Sequence, residues 1–119
     1  MNVKWSRLID LNEGNVRLSV PRSAGVYLLC VKMKDGKWRC FYTGQAENLE
    51  ERLLQHVSLS ETNQCIRGRA RSQVCGMYFA RVENERDRNG AEKYLYDYYS
   101  PECNLKDPGG IPITVNTPR

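Results

Sequence analysis

Two tripeptides, Gly25-Val26-Tyr27 and Tyr42-Thr43-Gly44, constrain the fold of this chain more than any other feature. Each lies in a run of apolar, β-branched and aromatic residues, which favours a strand. A Lys-Asp-Gly turn at positions 34–36 separates the two runs, and an Asp-Gly pair between apolar runs is a strong hairpin signal. We therefore predict a β-hairpin over residues 25–43 that brings the two tyrosines near each other.

Helix and strand signals alternate around this hairpin. The clearest helix follows Asn48, a favourable N-cap, and places Leu49, Leu53 and Val57 on one face. The predicted elements are a helix over 5–11, a strand over 16–20, the hairpin, a helix over 48–57, a basic loop, a third strand over 74–82, and a helix from Asp87 or Asn89 to Tyr99. This order predicts an α+β fold, in which a small three-stranded antiparallel or mixed β-sheet is flanked by helices.

The length of 119 residues suits one domain with a modest core. We predict a single domain over 1–119, with its core at about 21–104, a lead-in over 1–20 and a turn-rich tail over 105–119. The N-terminal residues are charged, and no stretch approaches the ~20 apolar residues of a membrane helix. These features predict a cytoplasmic protein with no membrane partner.

The cysteine pattern argues against a zinc site. Five cysteines occur without any Cys-x-x-Cys pair, and there is one histidine, whereas structural zinc sites use closely paired ligands. The pattern favours reduced, mostly buried thiols. A disulfide between Cys30 and Cys40, which would face each other on the hairpin, is the alternative.

Positive charge is concentrated in one segment. The chain carries a net charge of +4, and Arg67, Arg69 and Arg71 alternate within a stretch, residues 62–81, that contains no acidic residue. Two interpretations stay open, a loop that contacts phosphates and a solvated basic edge.

Four polar residues follow the tripeptides in a defined order, namely Arg52, His56, Glu92 and Asn104. Together with the tripeptides, this order resembles the GIY-YIG nuclease superfamily over residues 21–104. The spacing of Arg52, Glu92 and Asn104 is most similar to the nuclease half of the bacterial nucleotide-excision repair endonuclease. His56 matches a histidine of the homing-endonuclease and restriction-enzyme branches.

The resemblance implies a metal-dependent endonuclease that hydrolyses DNA phosphodiester bonds by a one-metal mechanism. It implies that Tyr27 is the general base and that Tyr42 orients the water or the phosphate. Arg52 would hold the scissile phosphate, and His56 would assist proton transfer. Glu92 would bind Mg²⁺ or Mn²⁺. The competing interpretation is structural, with the tyrosines as core aromatics and Glu92 as a first-turn helix residue.

The resemblance also implies DNA contacts, which we assign to Gln45, Asn104, Arg67, Arg69 and Arg71. The DNA would be branched or damaged, in a repair or mobile-element setting. The sequence contains no zinc finger or helix-turn-helix to choose a target, so a partner protein would supply specificity. The alternatives are a catalytically weak or inactive nucleic-acid-binding module and a subunit of a nuclease complex.

Three positions depart from the family pattern. Val26 replaces the usual isoleucine of the first tripeptide, and Thr43 puts a hydroxyl where an aliphatic side chain is commoner. Gln45 stands where the repair enzymes carry a lysine, which removes one positive charge near the predicted site.

Overall fold

The two tripeptides lie on neighbouring strands of a four-stranded antiparallel sheet in the computed structural model, which describes residues 1–118. The strands are β1 (Ile9–Asp10), β2 (Gly25–Lys32), β3 (Trp38–Ala46) and β4 (Cys75–Arg81), and the helices are α1 (Glu13–Ser19), α2 (Leu49–Val57), α3 (Gln64–Ser72) and α4 (Glu85–Tyr99). The strand order is β1-β4-β2-β3. The structure confirms the α+β class and corrects the strand number from three to four, because β1 pairs with β4 at the far edge. None of the helices within residues 1–118 combines the length and apolar character needed to cross a membrane.

Strand β2 lies at the centre of the sheet and supplies two hydrophobic cores. Tyr27 and Leu29 point into the core shared with α1, α2 and α3. Val26 and Leu28 point into the core that holds Leu95 of α4. Because both faces of β2 are covered, its sequence is an apolar run rather than an alternation of apolar and polar residues.

The predictions for the N-terminal segment are wrong. The segment predicted as a helix is irregular up to β1, and the one predicted as a strand forms α1. Asn12 caps α1 by accepting the backbone N–H of Asn15 at 2.8 Å. Val16 and Val20, four residues apart, are buried, whereas Leu18 between them is 84% exposed. Burial therefore follows the helical period and not the strand period.

The basic segment predicted as a loop is helix α3. Asn63 caps it by accepting the N–H of Ile66, and Ile66 is its only buried residue. Helix α4 also begins earlier than predicted, because Asn84 is its N-cap. Glu92 therefore lies in the middle of α4 and not at its start.

The cysteine prediction is partly wrong. Cys65 of α3 and Cys103, in the loop after α4, form a disulfide across 38 positions of sequence. Cys30, Cys40 and Cys75 are free and buried. Cys30 and Cys40 face each other in neighbouring strands, as expected for the hairpin, without a bond between them.

Candidate active site

Both glycines of the tripeptides stand where a side chain would collide with a neighbour. A Cβ on Gly25 would overlap the carbonyl oxygen of Ala80. A Cβ on Gly44, which pairs with Tyr27 across the two strands, would overlap the phenol of that tyrosine. The glycines therefore leave the space that the neighbouring strand and the Tyr27 ring occupy.

Tyr27, Tyr42 and His56 form one aromatic cluster. The ring centroids are 6.1 Å apart for the two tyrosines, 5.5 Å for Tyr27 and His56, and 5.2 Å for Tyr42 and His56. The predicted proximity of the two phenols is confirmed. Tyr27 has no exposed surface, so its ring belongs to the core while its hydroxyl reaches the polar groups of α2.

Helix α2 places Arg52 and His56 beside the hydroxyl of Tyr27. Asn48 caps the helix as predicted, and buried Leu49 and Leu53 dock it on the core. Arg52 and His56 are four residues apart and so share a side of the helix. His56 Nε2 lies 2.7 Å from Tyr27 Oη, and Arg52 Nε donates to the same oxygen at 3.4 Å.

Burial determines the protonation of this cluster. It raises the pKa of Tyr27 far above the usual range of a phenol, with a further increase from Tyr42, while the hydrogen bond from Arg52 opposes it. Burial also lowers the pKa of His56 to about 4, and Arg52 adds to the decrease while Glu61 opposes it. Both Tyr27 and His56 are therefore neutral near pH 7.

Sequence reasoning missed Glu61 as a member of the site. Its side chain is 4% exposed, and its Oε2 lies 3.2 Å from His56 Nδ1. The other carboxylate oxygen accepts the backbone N–H of Asn63 at 3.0 Å. Glu61 lies in an irregular segment, where no periodicity marks it. The one available signal is that it is the only acidic residue between α2 and β4.

Glu92 belongs to a hydrogen-bonded network that links α4 to β3. Gln45 Nε2 donates to Glu92 Oε1 at 3.2 Å and also to the side chain of Asn89. The amide oxygen of Gln45 accepts from Nε of buried Arg88 at 2.8 Å. The guanidinium of Arg88 thus lies next to Gln45, the residue that takes the place of a positively charged lysine in the repair enzymes. Burial raises the pKa of Glu92, and Gln45 and Arg52 oppose that shift.

One cavity of about 390 Å³ brings together four of the five predicted catalytic residues and Asn104, whereas Tyr27 and Gln45 are not part of its lining. Its lining includes Tyr42, Arg52, His56, Glu61, Glu92 and Asn104. Asn104 holds one wall against β3, since its Nδ2 donates to Thr43 O at 2.8 Å and its Oδ1 accepts from Thr43 N at 3.0 Å.

The three arginines of α3 lie outside this cavity. Arg67 and Arg71, one helical turn apart, line a smaller cavity against the end of α2. Arg69 points elsewhere and bonds to Glu102 and Gln73. The segment is therefore not one continuous basic strip, because Arg69 is engaged in an ion pair.

Within residues 1–118, no group of three or more histidine, cysteine or acidic side chains is arranged to hold a metal ion. Two carboxylates line the main cavity. Both oxygens of Glu61 have protein donors or a histidine nitrogen as partner, whereas only Oε1 of Glu92 is hydrogen-bonded among the described residues. Glu92 is therefore the carboxylate with capacity for a further ligand.

Comparison with known proteins shows a consistent likeness. No protein-family model matches the chain. UvrABC system protein C of Solibacter usitatus is 28% identical over 86 residues, which is 72% of this chain and 13% of that relative. The GIY-YIG N-terminal endonuclease domain of UvrC from Thermotoga maritima, bound to its catalytic magnesium, superposes with a TM-score of 0.59 at 26% identity, covering 77% of this chain and 93% of that domain. A point mutant of the same domain, bound to the catalytic divalent cation, gives 0.58 and 26%, covering 77% of this chain and 97% of that one.

Proposed function

We propose that this chain, which is similar in sequence and fold to the GIY-YIG endonuclease domain of UvrC, is a member of the GIY-YIG nuclease superfamily and a metal-dependent endonuclease that hydrolyses phosphodiester bonds in DNA. The observation that carries the proposal is the arrangement of three groups. Arg52 and Glu92 line the same cavity, and Arg52 also contacts the hydroxyl of Tyr27. A cation and a carboxylate at one cavity, with a buried phenol directly behind the cation, would provide phosphate binding, metal binding and proton transfer.

Glu92 would hold the divalent cation, Mg²⁺ or Mn²⁺. Its half-buried carboxylate has the oxygen chemistry that Mg²⁺ prefers, and this ion is usually bound by one or two carboxylates, several waters and substrate phosphates. A single carboxylate ligand fits a one-metal mechanism. When bound, the cation would neutralise charge on the phosphoryl group and on the leaving oxygen.

Arg52 would bind the scissile phosphate. The residue is exposed at the cavity, and its guanidinium is always charged near neutral pH. Only its Nε is used on Tyr27, so the terminal N–H groups suit a bidentate contact with phosphate oxygens. Tyr42, which lines the same cavity, would orient the water or the phosphate.

Tyr27 would act as the general base. A buried phenol does not ionise readily, and burial raises the pKa of Tyr27. The tyrosine must therefore release its own proton while it takes one from water. His56 Nε2, at 2.7 Å, is positioned to accept that proton.

DNA would approach over α3 and the cavity rim. Arg67 and Arg71 would contact phosphates, as would Asn104, which lines the cavity, and Gln45, which bonds to Glu92 at its wall. Arg69, held by Glu102, would contribute through its charge. A partner protein would supply target choice in a repair or mobile-element setting.

The test is cleavage of supercoiled plasmid and of branched DNA with Mg²⁺ or Mn²⁺. We expect wild type to cleave, Glu92→Gln to lose cleavage, and Glu83→Gln, an exposed acid outside the cavity, to keep it. Cleavage that persists without divalent cation, or unchanged cleavage by Glu92→Gln, would show that Glu92 is not the metal ligand of a nuclease.

A second candidate is a nucleic-acid-binding module without turnover, favoured by the complete burial of Tyr27. It predicts salt-sensitive DNA binding with no cleavage in either cation. The double change Arg67→Ala and Arg71→Ala would then weaken binding, whereas Lys34→Ala, at the opposite end of the hairpin, would not.

A further inference from the structure

We propose that Glu61 is a positioning residue for the proposed nuclease reaction, because its buried carboxylate fixes His56 in the one tautomer that can accept the proton of Tyr27. This inference deepens the proposed function and rests on it. None of the sequence motifs assigns a role to Glu61.

The geometry shows a buried chain of three side chains. Glu61 and His56 are 4% and 2% exposed, and Tyr27 has no exposed surface. The links are Glu61 Oε2 to His56 Nδ1 at 3.2 Å and His56 Nε2 to Tyr27 Oη at 2.7 Å. Glu61 is itself held by the N–H of Asn63 on its other oxygen and by its own N–H, which donates to Ser58 O at 3.3 Å.

The order of donors follows from elementary chemistry. An ionised carboxylate only accepts hydrogen bonds, so the nitrogen that faces Glu61, Nδ1, must carry the proton. In a neutral imidazole the other nitrogen then presents a lone pair, and the hydroxyl of Tyr27 donates to Nε2. Arg52 Nε donates to the same phenol oxygen, which therefore acts as donor to His56 and as acceptor from Arg52.

The surroundings of His56 are charged on several sides. The titratable groups that line the adjoining cavities or contact the ring are Tyr27, Tyr42, Arg52, Glu61, Glu13, Arg67, Arg71, Glu92 and Lys106. Of these, only Glu61 and Tyr27 have a side-chain oxygen within hydrogen-bond distance of a ring nitrogen, and an ionised carboxylate, unlike a phenol, can only accept. The tautomer is thus set by one contact, although several charges influence the ring.

Tyr27 is neutral both before and after the proposed step, because it gains one proton as it loses another. The water oxygen forms a bond to phosphorus while one water proton moves to Tyr27 Oη and the original phenol proton moves to His56 Nε2. The bond from phosphorus to the leaving oxygen breaks with its electron pair, and that oxygen takes a proton from solvent. The imidazolium formed lies against the Glu61 carboxylate and later returns its proton to solvent.

Arg52 links this step to substrate binding. It is the exposed residue that contacts the otherwise buried phenol oxygen. A phosphate that draws the guanidinium toward itself exposes that oxygen to the attacking water. The attacking water therefore reaches Tyr27 when substrate is bound, and the buried chain of Glu61, His56 and Tyr27 takes up its proton at that point.

The direct test is ¹⁵N NMR of histidine-labelled protein, in which the chain's single histidine gives one unambiguous pair of ring signals. In wild type at pH 7.5 we expect a protonated Nδ1 and an unprotonated Nε2. In Glu61→Gln the amide N–H₂ can donate to Nδ1, because its oxygen keeps the N–H of Asn63, and we expect the opposite tautomer. The spectrum also reports whether the variant is folded, and Glu61→Asp, which keeps the carboxylate, provides a second variant that retains the wild-type tautomer.

Kinetics complete the test. We expect kcat of Glu61→Gln to fall by about 100-fold or more with little change in KM, as for other histidines held in the wrong tautomer, and Glu61→Asp to recover part of the loss. Glu83→Gln should match wild type. A protonated Nε2 in wild type, or an unchanged kcat in a folded Glu61→Gln variant, would overturn this inference and leave the nuclease proposal intact. Absence of cleavage by wild type in both cations would overturn the proposed function and the catalytic role of Glu61 with it.

Discussion

The carboxamide of Asn104 bonds to both main-chain groups of Thr43, while the hydroxyl of the same threonine is buried and has no hydrogen-bond partner among residues 1–118. The backbone of Thr43 thus joins β3 to the loop after α4, and its side chain does not contribute to that junction. A buried, unpaired hydroxyl costs free energy because it has lost its hydrogen bonds to water.

We therefore expect Thr43→Val to stabilise the protein. Valine keeps the shape of threonine and removes the unpaired group, so the free energy of unfolding should rise by about 1 kcal/mol. Urea denaturation measures the change. Thr114→Val, at an exposed position, should shift it by less than about 0.5 kcal/mol. A lower stability for Thr43→Val would mean that the hydroxyl has a partner after all.

Gly44→Ala, on β3, should displace the ring of Tyr27 on the neighbouring strand β2. The new methyl group would overlap the phenol of Tyr27, so the ring must move away from His56 or the strands must separate. We expect a loss of about 1–3 kcal/mol of stability, as for other overpacked cores, and a loss of cleavage activity.

Gly68→Ala is the matched comparison for this change. Gly68 lies in α3 and has open space around its Cβ position. Alanine is the better helix former, so this variant should gain roughly 0.5–1 kcal/mol. Equal effects of the two substitutions on stability and cleavage would refute the role of Gly44 as the space for the phenol.

The disulfide should stabilise the wall of the site. Cys65 and Cys103 are 38 positions apart, and closing a loop of that length restricts the unfolded chain by roughly 2–4 kcal/mol. We expect reducing agent to lower the free energy of unfolding of wild type by that order and to leave Cys65→Ser unaffected. Thiol titration of unfolded, unreduced protein should find three free cysteines. Five reactive thiols would show that the bond does not form.

The sequence predicted those parts of the fold whose signals are local. The hairpin has a turn dipeptide between two apolar runs, and α2 has a cap followed by an apolar face at helical spacing. Helix α1 was misread because Val16, Leu18 and Val20 alternate in sequence, although only Val16 and Val20 are buried. The decisive signal was the cap at Asn12, whose side chain satisfies the first turn.

The contacts missed at the site are those made through tertiary structure. Helix α3 buries Ile66 alone, so it has no apolar stripe that periodicity could detect. The turn after α2 folds Glu61 back onto His56, and α3 and the loop after α4 bring Cys65 to Cys103. The resemblance to the GIY-YIG superfamily predicted the tyrosines, Arg52 and Glu92 as a group, but not the buried carboxylate that completes the chain to Tyr27.

The buried histidine should make stability depend on pH. The pKa of His56 is lowered from its ordinary 6.5 to about 4 in the folded protein. Between these values the unfolded chain binds a proton that the folded chain does not, so the free energy of unfolding falls as the pH is lowered from 6.5 to 4, by about 1.4 kcal/mol for each unit of pKa difference. Above pH 6.5 this contribution is fully present and constant.

Urea denaturation between pH 4 and pH 8 can be compared for wild type and His56→Gln. Acidic side chains titrate in both proteins, so the histidine contribution is the extra downward slope of wild type below pH 6.5. Histidine NMR measures the same pKa directly, since the chain has a single histidine. A measured pKa above neutral pH would mean that Glu61 outweighs burial and Arg52, and that His56 is charged at neutral pH. In that state Nε2 carries a proton and cannot accept one from Tyr27, so this measurement also decides whether the tyrosine can release its proton to His56.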